Sequence, residues 1–397
     1  VLSGVSTGSQ VLNLVTFVVT QLAMGITVLI ARYLGEKRED QIGSIIGGGT
    51  VVFAAISLVL FVIMVGFARP IAVLMQAPEE AVGLTAAYIR ICGAGIFFIV
   101  AYNVLSAIFR GLGDSNSPLL FVFVACIVNV VGDLVLVAGL GMDAMGAALA
   151  TVFAQALSVV FAIVRLVKKG LPFTITGYDF RWNPQCGKFL QIGLPLALQE
   201  CLTQGSFLAL CAFVNRLGLE ASSGYGVACK IVNFAMLIPG ALMQSTSSFV
   251  SQNVGAGEQK RAKKTMFTGI GIGLLVGCFA FSLVFFRGDL LAGIFSADAA
   301  VVQRGYEYLK GFAPETLLTA VLFSMMGYFN GNGKTVWVML QGLIQTLLVR
   351  LPFAYYMSIQ PDASLTNIGL AAPISTAVGI VLNVAFFLYL EHAAKRS

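Results

Sequence analysis

An all-α polytopic membrane protein, built as two six-helix lobes of parallel repeats with eleven of its twelve helices inside the sequence, is predicted by three observations. Of 397 residues, 58% are hydrophobic and only 11% are charged, less than half the roughly 25% charge usual in soluble domains. Apolar runs long enough to cross a hydrocarbon core of about 30 Å, roughly 20 residues at 1.5 Å of rise each, fill the chain. Loop and helix signals also recur at one constant shift of 220 residues.

The spans follow in order. The first, about 4–32, lies in an uncharged stretch without a basic leader that exceeds a secretory signal in length, so a true span is expected rather than a cleaved peptide. The second, 41–68, and third, 82–110, contain the uncharged runs 44–68 and 91–109. The fourth is placed at 117–139, and the fifth, 144–168, holds the uncharged run 144–164. Spans six and seven fall at 186–217 and 221–253, and the eighth, 263–286, contains the uncharged run 265–286. The ninth, tenth and eleventh are expected at 302–331, 334–358 and 366–392. Sixteen Lys and Arg fall on one side of these spans and four on the other, which by the positive-inside rule puts the C-terminus in the cytoplasm and Val1 outside.

The repeat accounts for the helix count. A shift of 220 brings Tyr88-Ile89-Arg90 onto Tyr308-Leu309-Lys310 and Phe109-x-Gly111-x-Gly113 onto Phe329-x-Gly331-x-Gly333. A shift of 223 brings Gly146-Ala147-Ala148 onto Gly369-Leu370-Ala371. The first five spans thus pair with spans seven to eleven, and the sixth has no partner; its counterpart is expected ahead of Val1. Six spans per half is an even number, so both halves run the same way through the membrane. Residues 1–169 form the N-terminal lobe, 170–184 the linker, rich in Gly, Pro and polar residues, and 185–397 the C-terminal lobe.

Composition excludes several function classes. The net charge of +6 never gathers into a dense basic block, so nucleic acid is not an expected partner. Seven Cys without a CxxC pair read as small core hydrophobes. A single histidine, His392, leaves histidine-based catalysis and metal ligation without material, so neither an enzyme nor a cofactor is expected. Gly269-xxx-Gly273-xxx-Gly277 reads as a close helix-packing stripe.

Burying a charge at mid-bilayer costs about 2.5–3.5 kcal/mol even on the lenient insertion scale, so each retained one is a functional candidate. Asp133, Glu200 and Glu315 are the deep acids, and Lys230 and Arg350 the deep bases. Asn129 lies one turn before Asp133 on the same face, and Thr151 and Tyr88 are expected at the same depth as Asp133, each about 10 Å from a helix end. A carboxylate with such neighbours can hold a proton or coordinate sodium through oxygen, with Asp133, Asn129 and Thr151 as candidate ligands. Glu200 follows Pro195 and Glu315 follows Pro314, where a helix can open, and an acid there would attract organic cations. The competing expectation is that Glu200 or Glu315 pairs with Lys230 or Arg350.

Six stretches together resemble the multidrug and toxic compound extrusion (MATE) transporters, from their second helix onward and closest to the DinF-like branch. They are Ala31-Arg-Tyr-Leu-Gly-Glu36, Phe109-Arg-Gly-Leu-Gly-Asp-Ser115, Gly146-Ala-Ala-Leu-Ala-Thr151, Gly193-Leu-Pro-Leu-Ala-Leu-Gln199, Ser251-Gln-Asn-Val-Gly-Ala-Gly257 and Gly327-Tyr-Phe-Asn-Gly-Asn-Gly-Lys-Thr335. The resemblance implies two lobes around a central cavity and export of amphipathic, often cationic compounds by antiport with protons or sodium. It implies a monomer in the plasma membrane, the inner membrane of a cell that has two, whose partners are small organic substrates and the bilayer. It makes Asp133, Asn129, Thr151 and Tyr88 an amino-terminal coupling network, with Glu200 and Glu315 as further proton- or cation-coupling candidates, and Glu200, Thr203 and Glu315 candidates in the substrate cavity. Thr203 stands where other branches carry a seventh-helix glutamate. A lipid-linked oligosaccharide flippase of the same superfamily is the alternative, against which the deep acids argue.

Overall fold

The computed structural model describes residues 2–171 and 173–396. Every regular element among them is helical, as hydrocarbon requires of an unclosed chain, because only a helix pairs its backbone N–H and C=O groups within one segment. The chain divides into two compact units, Val1–Ala197 and Leu198–Ser397.

The first unit contains α1 (Leu2–Gly35), α2 (Ile42–Gly66), α3 (Ala68–Leu74), α4 (Val82–Ala94), α5 (Ile96–Gly111), α6 (Asn116–Asp133), a π-helical turn (Leu134–Gly139), α7 (Asp143–Lys168) and the start of α8 (Pro184–Asn215). Its core is Ile26, Ile30, Phe53, Ile89, Ile96 and Phe189, all at most 2% exposed. The second unit takes the rest of α8, then α9 (Leu219–Gly255), α10 (Gln259–Phe295), α11 (Ala299–Phe312), α12 (Glu315–Gly331) and α13 (Thr335–Leu343). A second π segment (Ile344–Arg350), α14 (Leu351–Ser358), α15 (Leu365–Gly369) and α16 (Ala371–Ala394) complete it. Outward-facing Leu, Val and Phe side chains such as Leu119, Phe123, Val131, Leu275 and Phe279 stay more than half exposed, which suits a lipid-facing surface and no aqueous one.

Among the described residues nine helices are long and apolar enough to span a membrane, and counting each of two bent pairs as one span gives eleven. The bends correct two expectations of continuous helices. Span 82–110 breaks at Gly95 by 55°, and span 302–331 breaks at Ala313–Pro314 by 48°. Proline explains the second break, since it has no N–H to give the preceding turn and serves well only at a helix start. The expected fourth and tenth spans each hold a π segment, which no composition signal announced. The second span carries on past a kink at Phe67 (φ −115°) into α3.

These departures themselves repeat. The kink at Phe67 recurs at Arg287 (φ −131°) inside α10. Left-handed Lys37 (φ 58°) recurs at Gly257 (φ 77°), and Gly113 (φ 81°) at Gly333 (φ 74°). The bent pairs start at Glu79 and Ala299 and end at Gly111 and Gly331. Each pair of positions lies 220 residues apart, so the two units share one sequence of kinks, turns and bends.

Close helix approach supplies the cohesion. A Cβ at Gly277 would stand 2.7 Å from the Thr316 carbonyl oxygen, and one at Gly273 2.9 Å from the Ala320 Cβ, so α10 lies directly on α12. At the end of the first unit, a Cβ at Gly47 would collide with the Asp179 backbone, which seats the 170–184 segment on α2. Ser44 Oγ donates to Asp179 Oδ1 (3.2 Å) and Asn183 Nδ2 to the Ser44 carbonyl (2.9 Å), fixing that seat. All seven cysteines are free; Cys92 and Cys186 are buried, but Cys126, Cys201 and Cys278 are exposed, so the reading as core hydrophobes holds for only some of them.

The loop from α5 to α6 is held by charge. Asp114 accepts from Lys169 Nζ (2.6 Å), from Ser117 Oγ (2.5 Å) and from the Ser117 N–H (3.0 Å), while Arg165 Nε donates to Ser117 Oγ (2.7 Å). Burial opposes ionisation of Asp114, but the Lys169 and Ser117 hydrogen bonds outweigh it and hold its pKa down at about 2.

Two outcomes follow from this packing. Gly277→Val places a branched side chain against an immovable carbonyl and should cost about 1–3 kcal/mol, read as a lower thermal midpoint in detergent. Gly271→Val, where a Cβ meets nothing within 4 Å, should leave the midpoint unchanged. Because the Asp114 pKa falls on folding, its stabilisation is complete above about pH 4 and is lost as pH drops towards 2. Asp114→Asn should therefore lower the thermal midpoint at pH 7, with the gap to the parent protein closing between pH 4 and pH 2.

Candidate functional site

Each unit gathers polar side chains from the same three consecutive spans. In the first unit these are the α4–α5 pair, α6 with its π turn, and α7. The bend at Gly95 lays the first of them on the third, because a Cβ there would overlap the Val152 side chain, next to Thr151. A Cβ at Gly132 would stand 2.9 Å from the Ala150 Cβ, which sets α6 on α7 at the same level.

Tyr88, Asn129, Asp133 and Thr151 meet at this junction. Asn129 Nδ2 donates to Thr151 Oγ1 (3.2 Å), and Thr151 Oγ1 donates to the Ala147 carbonyl (3.0 Å). The buried Tyr88 hydroxyl interacts with the side chains of Thr151 and Cys92, and Asp133 is near enough to act on it electrostatically. Asp133 ends α6, immediately before the π turn, a distortion frequent at functional sites because it widens one helical turn. Its Oδ1 is shielded from solvent and has no hydrogen-bond partner among the described residues. The Thr151 hydroxyl is spent on the Ala147 carbonyl and the Asn129 amide is turned to Thr151, so no described group donates to this oxygen. A proton on the carboxyl, or a hard cation drawn to oxygen ligands, would satisfy it.

In the second unit the matching spans are the α11–α12 pair, α13 with its π segment and α14, and α16. Glu315 opens α12 just after the break and is 4% exposed. Its Oε1 accepts from Thr376 Oγ1 (2.8 Å), and its Oε2 is buried without a partner among the described residues. Thr376 in turn accepts from Gln345 Nε2 (3.1 Å), and Gln345 Oε1 accepts from Gln341 Nε2 (2.5 Å). Arg350, at the end of the π segment, donates from Nε to Ser375 Oγ (3.2 Å). Ser375 and Thr376 are neighbours on α16, so one helical turn holds the base and the acid on separate hydroxyls. Arg350 and the buried Tyr308 both lie close enough to bear electrostatically on Glu315.

The expected pairing of acids with deep bases is corrected. Among the described residues no ion pair joins Glu200 or Glu315 to Lys230 or Arg350. Lys230 is exposed, its ammonium 5.6 Å from the Phe295 ring centroid, because its long stem lets the charge leave the apolar face it starts from. Glu200 Oε1 accepts from Gln204 Nε2 (2.7 Å), one turn along α8. Thr203 Oγ1 donates to the Gln199 carbonyl (3.0 Å) and is turned to its own helix backbone. The structure thus brings together the four nominated residues of the first unit, while Glu200 and Thr203 stay in local contacts on α8.

Sequence reading missed Gln341, Gln345, Ser375 and Thr376. The i, i+4 spacing of the two glutamines in an apolar span, both at most 6% exposed, was the available signal.

Comparison with known proteins fits this architecture. A model of the MatE family matches residues 1–135 and 195–356. The chain is 27% identical over 286 residues to the "Probable multidrug resistance protein YpnP" of Bacillus subtilis, an alignment covering 72% of this chain and 64% of that protein. It is 26% identical over 333 residues to the "Multidrug export protein MepA" of Staphylococcus aureus, covering 81% of this chain and 72% of that one. A solved structure described as the outward-facing conformation of a multidrug resistance MATE family transporter of the MOP superfamily superposes with TM-score 0.94 at 21% identity, over 100% of this chain and 89% of that chain. At that identity the likeness establishes the fold.

Thr151→Val, which keeps the side-chain shape and removes the hydroxyl, strands the Asn129 amide and should cost about 1 kcal/mol. The expected readout is a lower thermal midpoint that Thr151→Ser restores.

Proposed function

The chain belongs to the MatE family, and on that premise we propose that it is a secondary active exporter of amphipathic, often cationic organic compounds, driven by inward flow of protons or sodium. The observation that carries the proposal is Asp133, a membrane-embedded carboxyl whose Oδ1 lacks a donor beside Asn129, Thr151 and Tyr88. An acid left in this condition within a helix bundle gains more from a bound proton or cation than one exposed to water would.

Loading Asp133 changes what it can do. As a carboxylate it only accepts hydrogen bonds; once protonated it also donates one, and a bound sodium ion would draw its oxygens and those of its neighbours inward. Either event alters the contacts among α4, α6 and α7, and a ligand shifts a conformational equilibrium only through such a difference in interaction between two states. Glu315 supplies a second titratable carboxyl in the other unit, and Glu200 a third, one turn from Gln204. The names carried by the Bacillus and Staphylococcus relatives support drug-like substrates. The unpaired acids weigh against a flippase for pyrophosphate-linked sugars, which would need a cationic site. We further place the chain in the plasma membrane, as suits its bacterial relatives, as a monomer, and put its C-terminus in the cytoplasm on the distribution of its sixteen and four flanking basic residues.

The test is export by reconstituted protein in liposomes. Asp133→Asn should reduce gradient-driven dye export at least tenfold while the variant still inserts and folds. An imposed proton gradient and an imposed sodium gradient, applied separately, identify the coupling ion. Undiminished driven export by Asp133→Asn would remove Asp133 from the mechanism. Transport of a lipid-linked sugar without dye export would favour the flippase.

A further inference from the structure

The second unit holds a chain of hydrogen bonds that the export reading does not use. Gln341 donates to Gln345, Gln345 to Thr376, and Thr376 to Glu315, so every donor points towards the carboxylate. The four side chains are at most 6% exposed and come from α13, the π segment, α16 and α12. An acceptor is left over at each end: Glu315 Oε2 and Gln341 Oε1 are both buried and have no partner among the described residues. A chain with a spare acceptor at both ends has no donor to give its first member.

Each link can run in the other direction. A hydroxyl donates and accepts, and a primary amide presents an oxygen on one side and an NH2 on the other. If Glu315 takes up a proton, it can donate to Thr376 Oγ1. The Thr376 hydroxyl then turns to the Gln345 oxygen, and both amides turn over so that the Gln345 NH2 donates to Gln341 Oε1, which satisfies the atom stranded before. The added proton stays on Glu315; only the direction of the bonds changes.

The glutamine pair is seated on a glycine. Gly379 of α16 faces the glutamine pair, and a Cβ there would stand 2.5 Å from Gln345 Oε1 and 2.6 Å from Gln341 Nε2. At the far end, Gly342 lies against Gln199 of α8, since a Cβ at Gly342 would be 2.6 Å from Gln199 Nε2. Gln199 immediately precedes Glu200. The other charged or titratable groups facing Glu315 are Arg350, held on Ser375, and Tyr308.

We propose that Thr376, Gln345 and Gln341 form a reversible hydrogen-bond relay that transmits the protonation state of Glu315 to α8 beside Glu200. They act as positioning residues, and a side chain at Gly379 would take the place the two amides occupy. The proposal rests on the reading of Glu315 as a titratable coupling group, and the experiment separates the two.

Full-length protein that keeps Cys201 as its sole cysteine, exposed on α8, is labelled there with an environment-sensitive fluorophore, reconstituted and titrated with acid. The parent should show a pH-dependent emission change that Glu315→Gln abolishes. Thr376→Val and Gly379→Ala should reduce its amplitude at least fivefold, and Thr376→Ser should restore it. An intact response in Glu315→Gln overturns the titratable role of Glu315. Loss in Glu315→Gln with full retention in Thr376→Val overturns the relay alone. Should Thr376→Val fail to fold, infrared difference spectra of the unsubstituted sequence with isotope-labelled glutamine amides decide. Their carbonyl bands must shift together with the protonation of Glu315, and bands that stay fixed overturn the relay.

Discussion

Helices already surrounded by hydrocarbon gain nothing from hiding apolar surface against one another, so the cohesion of this protein depends on how closely their backbones can approach. Glycine decides that at the points where the bundle is tightest. Gly277 sits on the Thr316 carbonyl, Gly47 on the backbone of Asp179, and Gly95 on Val152. Dispersion between well-packed atoms and the local bonds of loop residues such as Asp114 then hold each unit together. The same contacts fix the level at which polar side chains meet. Gly95 and Gly132 bring α4, α6 and α7 together beside Thr151, and the Asp133 site exists because those helices touch there.

Once helices are this close, a carboxyl between them is short of hydrogen-bond donors. Asp133 and Glu315 meet that shortage differently. Around Asp133 the Asn129 amide is turned to Thr151 and the Thr151 hydroxyl to the Ala147 carbonyl, and one carboxyl oxygen is left without a donor among the described residues. Around Glu315 a line of donors converges on one oxygen, an arginine is held nearby on a separate hydroxyl, and the other oxygen is left bare. In both places one carboxyl oxygen is shielded from solvent with no hydrogen-bond partner among the described residues.

The two units also show what duplication preserves. The kinks at Phe67 and Arg287, the left-handed turns at Lys37 and Gly257, and the bent pairs ending at Gly111 and Gly331 all keep one spacing. Side chains at matching places have diverged: Tyr88 and Tyr308 are retained, but the acid lies on α6 in one unit and on α12 in the other. Backbone geometry is constrained by every contact along a helix, whereas a polar residue in a junction answers to a few neighbours and can move to another helix of the same cluster.

The sequence by itself determined the membrane class, the approximate run of spans and the repeat, and it placed Tyr88, Asn129, Asp133 and Thr151 at one level, because hydropathy, charge and depth along a helix are one-dimensional quantities. Proline made the break before Glu315 partly legible, but the π segments after Asp133 and through Gln345 carried no compositional mark. Only the tertiary structure decided that Lys230 reaches the surface over Phe295 and that Glu200 turns to Gln204. It alone assembled Gln341, Gln345 and Thr376 into a line ending on Glu315. Those outcomes depend on the rotation of each helix about its axis and on which long side chains can reach one another, and these are set by contacts between segments far apart in the chain.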